Sequence, residues 1–598
     1  MPLDAGYADQ PYLLLLPDGS WFCTVTSAIG AEGDRSQGVY SLRRENQDES
    51  WTLPVPLEAP GSPENSYSVP LVTPAGRIYV FYNFNTRNQR LVRREDGREE
   101  FRVDCLGDYV FRYSDDLGVS WSNRHVVPVR EFLCDRNNIY GGKVRFFWNV
   151  GKPCVRSTGE VIIPLHKVGA MGNGFFAQSE GAFILCSNLL TESDPSKLQW
   201  ETLPDGEIGL TVPAGGGRNA EEHSLVELSD GSLFTVYRTV DGYPACSYSR
   251  DGGRTWEKPA YLRKCRGGRL LKNPRAANFV WKLSEGRYLY WFHNHGGPFI
   301  RHLDGHASLP NGLFPVAGRS PYDDRNPVWL CGGMEQDGPD GKELVWSEPE
   351  VFLYEDDPFV RMSYPDCLEQ EGRVWISETN KSAARIHEVA PDFLQKLFGG
   401  LQGVLPRPED GFTVQLNRHV CDFPTLPKFL DRDYSSMSHG RKDLRTGFSL
   451  LLDFDGHPAE GEVLLDTRNK EGAGIAMEIL KDSVVEFRMC DGRTINTWCS
   501  DPYKLCSGAL NHVGIIVDGG PKIISFVING EFHDGGEERQ FGWGRFSPNL
   551  WDVNGEERVL ASTSLKGLNV FPRALMVSEI VACQEQTAAQ SRSQEVVS

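Results

Sequence analysis

One pattern of apolar and polar positions occurs six times along the chain: an apolar run, a polar turn that contains glycine, and a second apolar run. The copies are YLLLLPDGSWFCTV, VPLVTPAGRIYVFY, CVRSTGEVIIPL, SLVELSDGSLFTVY, FVWKLSEGRYLYWF and DCLEQEGRVWIS. Their turn glycines are Gly19, Gly76, Gly159, Gly231, Gly286 and Gly372. Because tight hairpin turns need a residue that tolerates positive φ, the pattern predicts six β-hairpins. The spacing leaves room for a four-stranded antiparallel sheet around each hairpin.

A second pattern, S-x-D-x-G-x-[ST]-W, falls between the hairpins at Ser114–Trp121 and Ser249–Trp256, with a degenerate copy at Arg44–Trp51. Its Asp and Ser can bond the backbone of their own turn, while its Trp can pack between neighbouring sheets. The pattern resembles the Asp-box, or BNR repeat, of the sialidase (neuraminidase) superfamily. That resemblance implies a six-bladed β-propeller over residues 1–398 and indicates the fold far more strongly than the reaction.

The pattern changes after Phe398. Residues 399–410, rich in Gly and Pro, are predicted to form a linker, and residues 411–583 contain alternating segments predicted to be strands. These segments are FSLLLDFD, EVLLDTRN, IAMEIL, VVEFRMCDG, NHVGIIVDG, KIISFVINGEF and GLNVFPRAL. Their order resembles the laminin-G or concanavalin-type jelly roll, a β-sandwich that either binds carbohydrate or serves as a structural support. The polar tail, residues 584–598, is expected to be disordered.

Composition agrees with an all-β protein, because 62 Gly and 37 Pro in 598 residues suit short strands joined by turns. The formal net charge of -19 argues against nucleic acid and anionic membranes as partners, although a few local arginines could still bind an anionic sugar. The 14 cysteines are scattered singly, so we expect neither a disulfide lattice nor structural zinc. No cofactor is expected either.

The N-terminal segment lacks a basic region, and its apolar run is only Leu13 to Leu16. It therefore predicts neither a signal peptide nor a membrane span. The expected location is the cytoplasm, with secretion as the alternative if a leader has been removed from the sequence.

Residues that enter the first strand of a hairpin and residues that leave its second strand lie at the same edge of the sheet. Here that edge collects Arg, His, Tyr and paired carboxylates, whereas the opposite turns carry ordinary Pro, Asp, Ser and Gly. Each such residue taken alone is more often a satisfied core group, but their convergence predicts a pocket. The segments include Asp9–Tyr12, Glu64–Tyr67, Trp148–Lys152, Glu221–His223, Asn273–Asn278, Arg361–Asp366, Asn83, Asn85, His166, Lys167, Arg238, His293–His295 and Glu378.

By resemblance to the sialidase blades, Glu222 or its neighbour Glu221 matches the general base, and Arg238 matches one arm of an arginine triad. Tyr364 in the sixth hairpin matches the nucleophile. Such a phenol, with an ordinary pKa near 10, attacks only if a carboxylate takes its proton. A neutral nucleophile also avoids repulsion from a sugar carboxylate, which arginine forks would hold.

The chain also departs from that family. Asp9–Tyr12 stands where a sialidase has its first arginine, and Arg325, Arg361 or Arg275 could supply the third arm. The acid/base is placed at Asp34, with Glu32 as the alternative. His293 and His295 share one strand face without a third ligand, so we expect no metal there. The remaining predicted substrate-binding residues are Glu221, His223, His166, Lys167, His293, His295 and Asn149.

These features lead to one main hypothesis and two alternatives. The main hypothesis is a sialidase-like, retaining exo-glycosidase acting on a terminal acidic sugar. The alternatives are a polysaccharide lyase that acts on a uronate through Tyr, His and Arg, and a glycan-binding propeller without activity. All three have a carbohydrate partner and leave open the sugar, the linkage and the oligomeric state.

Overall fold

The structure is a computed structural model that describes residues 6–46, 48–101, 104–171, 176–297, 325–357, 360–404, 407–416, 420–429, 445–456, 458–536, 539 and 541–585. Two compact units account for the chain. The first comprises Met1–Arg325, Gly332–Trp346 and Phe359–Pro391, and the second Asn326–Cys331, Ser347–Pro358 and Asp392–Ser598. Both consist mainly of antiparallel sheets, which confirms the all-β prediction.

Six antiparallel sheets follow one another along the chain. Sheet one contains β1 (Tyr7–Leu15), β2 (Trp21–Ala28), β3 (Gly38–Arg44) and β4 (Val55–Pro56). Sheet two contains β5 (Asn65–Val72), β6 (Ile78–Phe84), β9 (Asp108–Ser114) and β10 (His125–Val126), with the ribbon β7 (Val92–Arg93) and β8 (Glu99–Glu100) inserted. After helix α1 (Leu133–Arg136), sheet three contains β11 (Phe146–Trp148), β12 (Cys154–Val155), β13 (Val161–Met171), β14 (Phe176–Cys186) and β15 (Trp200–Leu203).

Three further sheets follow along the chain. Sheet four contains β16 (Glu221–Glu227), β17 (Leu233–Arg238), β18 (Ala245–Ser249) and β19 (Ala260–Tyr261). Sheet five contains β20 (Phe279–Lys282), β21 (Arg287–Phe292), β22 (Val328–Gly338), β23 (Gly341–Trp346) and β24 (Glu350–Leu353). Sheet six contains β25 (Ser363–Gln370), β26 (Arg373–Thr379) and β27 (Ala384–Val389), followed by helix α2 (Pro391–Gly399).

All six predicted hairpins are present as antiparallel strand pairs. Their turn glycines have φ between 69° and 88°, the left-handed region that the turn geometry requires. Every residue of β2 and of β6 is buried, because each of these strands is covered on both faces. The strands therefore consist of apolar runs with few polar interruptions.

Apolar cores lie between successive sheets. Separate apolar clusters join sheets one and two, two and three, and three and four. Between sheets four and five, the ring centroids of Phe234 and Trp346 are 6.3 Å apart. Ser284 at the turn of sheet five donates to Glu369 of sheet six. Sheet six packs on sheet one through Trp375 and Trp21, whose ring centroids are 5.1 Å apart. The contacts run through all six sheets and return to the first, while the six-bladed propeller stays a prediction.

The second unit has two main sheets around one apolar core. The larger contains β28 (Phe412–Thr413), β30 (Gly447–Asp455), β35 (Leu510–Asp518), β36 (Ile523–Ile528), β37 (Glu531–Phe532), β38 (Gly544–Arg545) and β40 (Leu565–Phe571). The smaller contains β31 (Val463–Asp466), β32 (Gly474–Leu480), β33 (Val484–Cys490) and β34 (Ile495–Cys499), and a pair is formed by β29 (Val420–Asp422) and β39 (Arg558–Leu560). The predicted strands are present, and the jelly-roll assignment stays a prediction.

The domain boundaries drawn from the sequence also stay predictions, but two observations bear on them. Residues 326–331 and 347–358 group with the second unit, although they lie within the predicted first domain. Gln584, the first residue of the predicted tail, is buried and donates to the carbonyls of His512 and Val527. Residues 586–598 of that tail lie outside the described part of the chain. None of the helices in the described part has both the length and the apolarity needed to cross a membrane.

Candidate active site

Four sheets carry the same irregularity at the start of their first strand. The pairing register shifts between Asp9 and Tyr12 in sheet one, Ser66 and Val69 in sheet two, Glu221 and Ser224 in sheet four, and Ser363 and Asp366 in sheet six. Within each shift one residue other than glycine has a left-handed backbone: Gln10 (φ 53°), Tyr67 (φ 60°), Glu222 (φ 57°) and Tyr364 (φ 46°). Such strained bulges concentrate at functional sites, where they redirect a side chain.

Tyr364 and Glu222, 142 residues apart in the chain, meet in this region. The Tyr364 Oη donates to Glu222 Oε1 at 2.8 Å, and Arg238 Nη1 lies 2.9 Å from the other carboxylate oxygen. All three side chains are buried. Burial and the Glu222 charge raise the pKa of Tyr364 well above its ordinary value, while Arg238 and Arg325 oppose that shift. The phenol therefore keeps its proton at rest and has a carboxylate in position to take it.

The carboxylate of Glu221 is bonded to two arginines. Its carboxylate accepts from Arg238 Nη2 at 2.6 Å and from Arg275 Nη2 at 2.8 Å. Burial on its own raises the pKa of Glu221, but Arg275 and Arg238 hold it below the ordinary value. Of the two adjacent glutamates, Glu222 bonds the tyrosine, while Glu221 neutralises the two arginines.

His166 supports the bulge that contains Glu222. Its Nδ1 accepts the backbone N–H of Glu222 at 3.2 Å, so the neutral ring carries its hydrogen on Nε2. Burial, with the charges of His223, Arg238 and Arg275, lowers the pKa of His166 well below its ordinary value. The imidazole is thus a neutral group that fixes the backbone of Glu222.

A lysine from sheet six connects Tyr364 with sheet one. The Lys381 Nζ lies 2.6 Å from Asp9 Oδ2 and 4.2 Å from the centroid of the Tyr364 ring. Tyr7 Oη also donates to Asp9 at 2.6 Å. Burial raises the pKa of Asp9, and the Lys381 charge opposes that shift. The pair places a compensated carboxylate beside the tyrosine.

Sheet two completes this side of the site. Tyr67 Oη donates to Asp104, and it lies 3.3 Å from Glu32 Oε1, which belongs to the loop after the first hairpin. Glu32 also approaches Lys381, with an N–O distance of 3.9 Å. Of the two acidic residues considered for this loop, Glu32 is therefore the one that faces the cluster.

Arg325 is buried close to the tyrosine. Its guanidinium carbon lies 5.9 Å from the centroid of the Tyr364 ring, and its Nη1 donates to Ser363 Oγ at 2.7 Å. Burial lowers the pKa of Arg325, to which the charges of Arg238 and Arg361 also contribute. No carboxylate of the described residues pairs with Arg325. Arg361, another predicted candidate for the third arginine, is only half-buried.

Three predicted site residues lie elsewhere. Asp34 is exposed, and its carboxylate accepts from the backbone N–H and the hydroxyl of Ser36 in its own turn. Lys167 forms a buried ion pair with Asp135 of α1. Asn149 donates to Tyr109 Oη at 3.0 Å and accepts from the N–H of Gly151, so it holds a turn of sheet three.

The other three histidines predicted as site residues are His223, His293 and His295. The His223 ring stacks on Tyr237 at 4.3 Å and meets Phe183 at 5.7 Å, within the core between sheets three and four. Burial lowers the pKa of His223 to about 3. The backbone N–H of His293 donates to Asn273 Oδ1 in the segment before β20, and His295 Nδ1 accepts from the backbone N–H of Gly297.

Lys381 and Gln10 were not predicted as site residues. Gln10 and Asp9 belong to a segment that the hairpin pattern placed at the pocket edge, so their location could be predicted but their role could not. Lys381 lies in the turn between β26 and β27 and has a positive φ of 77°. Nothing in an Asn-Lys-Ser turn distinguishes it from a solvated loop.

The profile of the BNR repeat-like domain matches residues 19–376. A comparison with curated protein sequences finds none that matches the chain.

Several solved structures resemble the chain at low identity. A protein of unknown function from Dyadobacter fermentans is 14% identical over 64% of this chain and 93% of its own, with a TM-score of 0.42. The leech intramolecular trans-sialidase is 15% identical over 66% of this chain and 69% of its own, with a TM-score of 0.43. The Trypanosoma rangeli sialidase is 13% identical over 96% of this chain and 93% of its own, with a TM-score of 0.41.

Proposed function

Because the chain belongs to the BNR repeat-like domain family, we propose that it is a glycosidase in which Tyr364 is the nucleophile and Glu222 the base. The observation that carries this proposal is the buried bond of 2.8 Å between the Tyr364 hydroxyl and the Glu222 carboxylate. A purely structural tyrosine has no need of a carboxylate that is itself held by an arginine. A nucleophile, a base and a group that orients the base form the usual arrangement for covalent catalysis.

In the first step the Tyr364 oxygen bonds the anomeric carbon while its proton passes to Glu222, and the bond from that carbon to the leaving oxygen breaks. Glu32 protonates the leaving oxygen. In the second step Glu32 takes a proton from water, whose oxygen bonds the anomeric carbon while the bond from that carbon to the Tyr364 oxygen breaks, and Glu222 returns its proton to that oxygen. Two displacements at one carbon retain its configuration. Glu32 replaces Asp34 in this role because Asp34 is exposed and bonded within its own turn.

The substrate is proposed to be a terminal sugar with an anionic group. Arg325 supports this, because a buried guanidinium without a carboxylate partner among the described residues is costly unless an anion joins it. A carboxylate beside Arg325 would also lie near Tyr364, whose neutral hydroxyl approaches it without charge repulsion.

The test begins with a panel of fluorogenic aryl glycosides of neutral, uronic and ulosonic sugars. On the substrate that is turned over, Tyr364→Phe and Glu222→Gln should each lower kcat at least a thousandfold, because general base and nucleophile are both required. A fluorinated glycosyl fluoride should leave a covalent mass increase on the peptide that contains Tyr364.

The matched control is Tyr237→Phe, which removes a buried hydroxyl bonded to the Thr211 carbonyl in sheet four. It should leave kcat within a few fold of that of the unaltered chain. Near-normal turnover in Tyr364→Phe would refute the nucleophile. Ultraviolet absorbance of an unsaturated uronate product would instead indicate the lyase alternative.

A further inference from the structure

Gln10 occupies the same structural position in sheet one as the two proposed catalytic residues in their sheets. It is the left-handed residue of the first bulge, as Glu222 is in sheet four and Tyr364 in sheet six. A left-handed backbone in a non-glycine residue costs about 1–3 kcal/mol and persists where the surroundings enforce it. The repeated geometry indicates that Gln10 presents its side chain to the same site.

The Gln10 amide contacts Thr26 of the neighbouring strand through its oxygen. Thr26 Oγ1 donates to Gln10 Oε1 at 3.3 Å and accepts the backbone N–H of Tyr67 at 3.0 Å. Because the oxygen of the amide faces Thr26, its nitrogen faces the other way. The side chain is completely buried, yet Nε2 has no hydrogen-bond partner among the described residues. A buried donor left in this state costs about 1–3 kcal/mol, so a ligand acceptor is its expected partner.

Charge distinguishes the Gln10 side of the site from the Arg325 side. Near Gln10, the Lys381 ammonium group lies 2.6 Å from the carboxylate of Asp9, the residue that precedes Gln10, and 3.9 Å from that of Glu32. A second anion at this position would be repelled by both carboxylates.

The surroundings of Arg325 differ from these. Its guanidinium lies near the Tyr364 ring, and no carboxylate of the described residues pairs with it. An anionic substituent is thus favoured beside Arg325, and an uncharged one beside Gln10.

We propose that Gln10 is a specificity-determining residue whose Nε2 donates to an uncharged oxygen of the sugar, a hydroxyl or an acyl carbonyl. The inference deepens the proposed function and rests on it for the identity of the ligand as a sugar. It assigns the two sides of the site: the charged group of the substrate lies toward Arg325 and its uncharged hydrogen-bonding group toward Gln10.

The experiment measures binding and needs no turnover. N-acetylneuraminic acid, D-glucuronic acid, D-galactose and N-acetyl-D-galactosamine are titrated against the full chain carrying Tyr364→Phe, followed by ligand NMR. For the tightest of these probes, deoxy, deacylated and carboxyl-reduced analogues are then compared in that chain and in chains that also carry Gln10→Gly or Gln10→Glu. Glycine tolerates the positive φ of 53°, and glutamate keeps the shape while replacing the donor by an oxygen.

Both substitutions should weaken the tightest probe by about five- to thirtyfold, the worth of one buried hydrogen bond. One deoxy or deacylated analogue should bind the chain that retains Gln10 as weakly as the complete probe binds the Gln10→Gly chain. The affinity of that analogue should fall no further in the Gln10→Gly chain. Glu371→Gly, at an exposed turn residue with φ 51°, controls for the effect of glycine at a left-handed position and should change no affinity.

Three results would overturn the inference: unchanged affinity in both Gln10 variants, coupling of Gln10 to the carboxyl-reduced analogue alone, or no binding of any probe. Failure of the proposed function is seen separately. If Tyr364→Phe retains turnover while the Gln10 cycle still shows coupling, the catalytic assignment falls and the donor assignment stands.

Discussion

At the scale of single residues, the site depends on buried charges that neutralise one another. Glu221 shows this most clearly, because its carboxylate is fully buried and contacts both Arg238 and Arg275. Removing one member of such a group leaves buried charge without compensation, which costs more than the interaction itself contributes. Glu221 is therefore expected to maintain the site although it does not contact the tyrosine.

Glu221→Gln should lower the free energy of unfolding by about 3–5 kcal/mol at neutral pH. The pKa of Glu221 is depressed in the folded state, so its stabilising effect is present above the ordinary carboxyl pKa and is lost as pH falls. The difference in free energy of unfolding between the variant and the unaltered chain should therefore become smaller at acidic pH. Urea unfolding at several pH values measures both effects.

Glu227→Gln serves as the comparison, because Glu227 lies in the same strand and pairs with one arginine, Arg156, at 3.3 Å. It should cost clearly less than Glu221→Gln. Equal costs would mean that the double pairing of Glu221 adds nothing to stability.

At the scale of strands and turns, the regular elements were predictable and the bulges were not. The turn glycines follow from a requirement for positive φ that sequence makes visible. The four bulges place Gln, Tyr, Glu and Tyr in that same region, and these residue types carry no such mark. His223 illustrates the consequence: the bulge at Glu222 interrupts strand alternation, so the next side chain faces the core between sheets instead of the site.

The two S-x-D-x-G-x-[ST]-W turns have the predicted contacts. In the second, Ser249 Oγ and the N–H and hydroxyl of Thr255 donate to Asp251, and Ser249 Oγ accepts the N–H of Gly253. Trp256 stacks on Phe183 of sheet three at 4.7 Å. This turn follows the end of β18 and lies at the edge of sheet four opposite Glu222.

Asp251→Ala should lower the free energy of unfolding by about 1–2 kcal/mol, because several hydrogen bonds of the turn are lost together. It should leave kcat unchanged, since the turn lies away from the site. Chemical denaturation and steady-state kinetics on the same preparation test this. A fall in kcat without loss of stability would contradict the structural role assigned to the turn.

At the scale of the whole molecule, two units could be expected from the length of the chain, but their composition could not. Residues 326–331 and 347–358 lie between strands of the fifth and sixth hairpins in sequence, yet they belong to the second unit. A pattern of local alternation contains no information on which distant segment a strand will join. Glu350, within one of these segments, gives that assignment a measurable consequence.

Glu350 and Asp518 are two buried carboxyl groups of the second unit that share one cation. Arg445 Nη2 lies 3.7 Å from Glu350 Oε2, and Arg445 Nη1 lies 3.9 Å from Asp518 Oδ2. Burial raises the pKa of Glu350 to about 7 and that of Asp518 to about 6. A carboxyl group that binds its proton more tightly when folded stabilises the protein below its unfolded pKa, and that contribution is lost as pH rises through the folded value.

The unaltered chain should therefore lose stability between pH 5 and pH 8, and Glu350→Gln should remove about 3 kcal/mol of that loss. The variant is expected to match the unaltered chain near pH 5 and to exceed it near pH 8, because glutamine never acquires the buried charge and can still accept the Ser578 N–H. Thermal unfolding at constant ionic strength provides the measurement. Asp518→Asn should likewise remove a loss of stability, but over a lower range of pH, because the pKa of Asp518 is about 6. Parallel curves of stability against pH for all three proteins would show that the pKa of neither carboxyl group is perturbed.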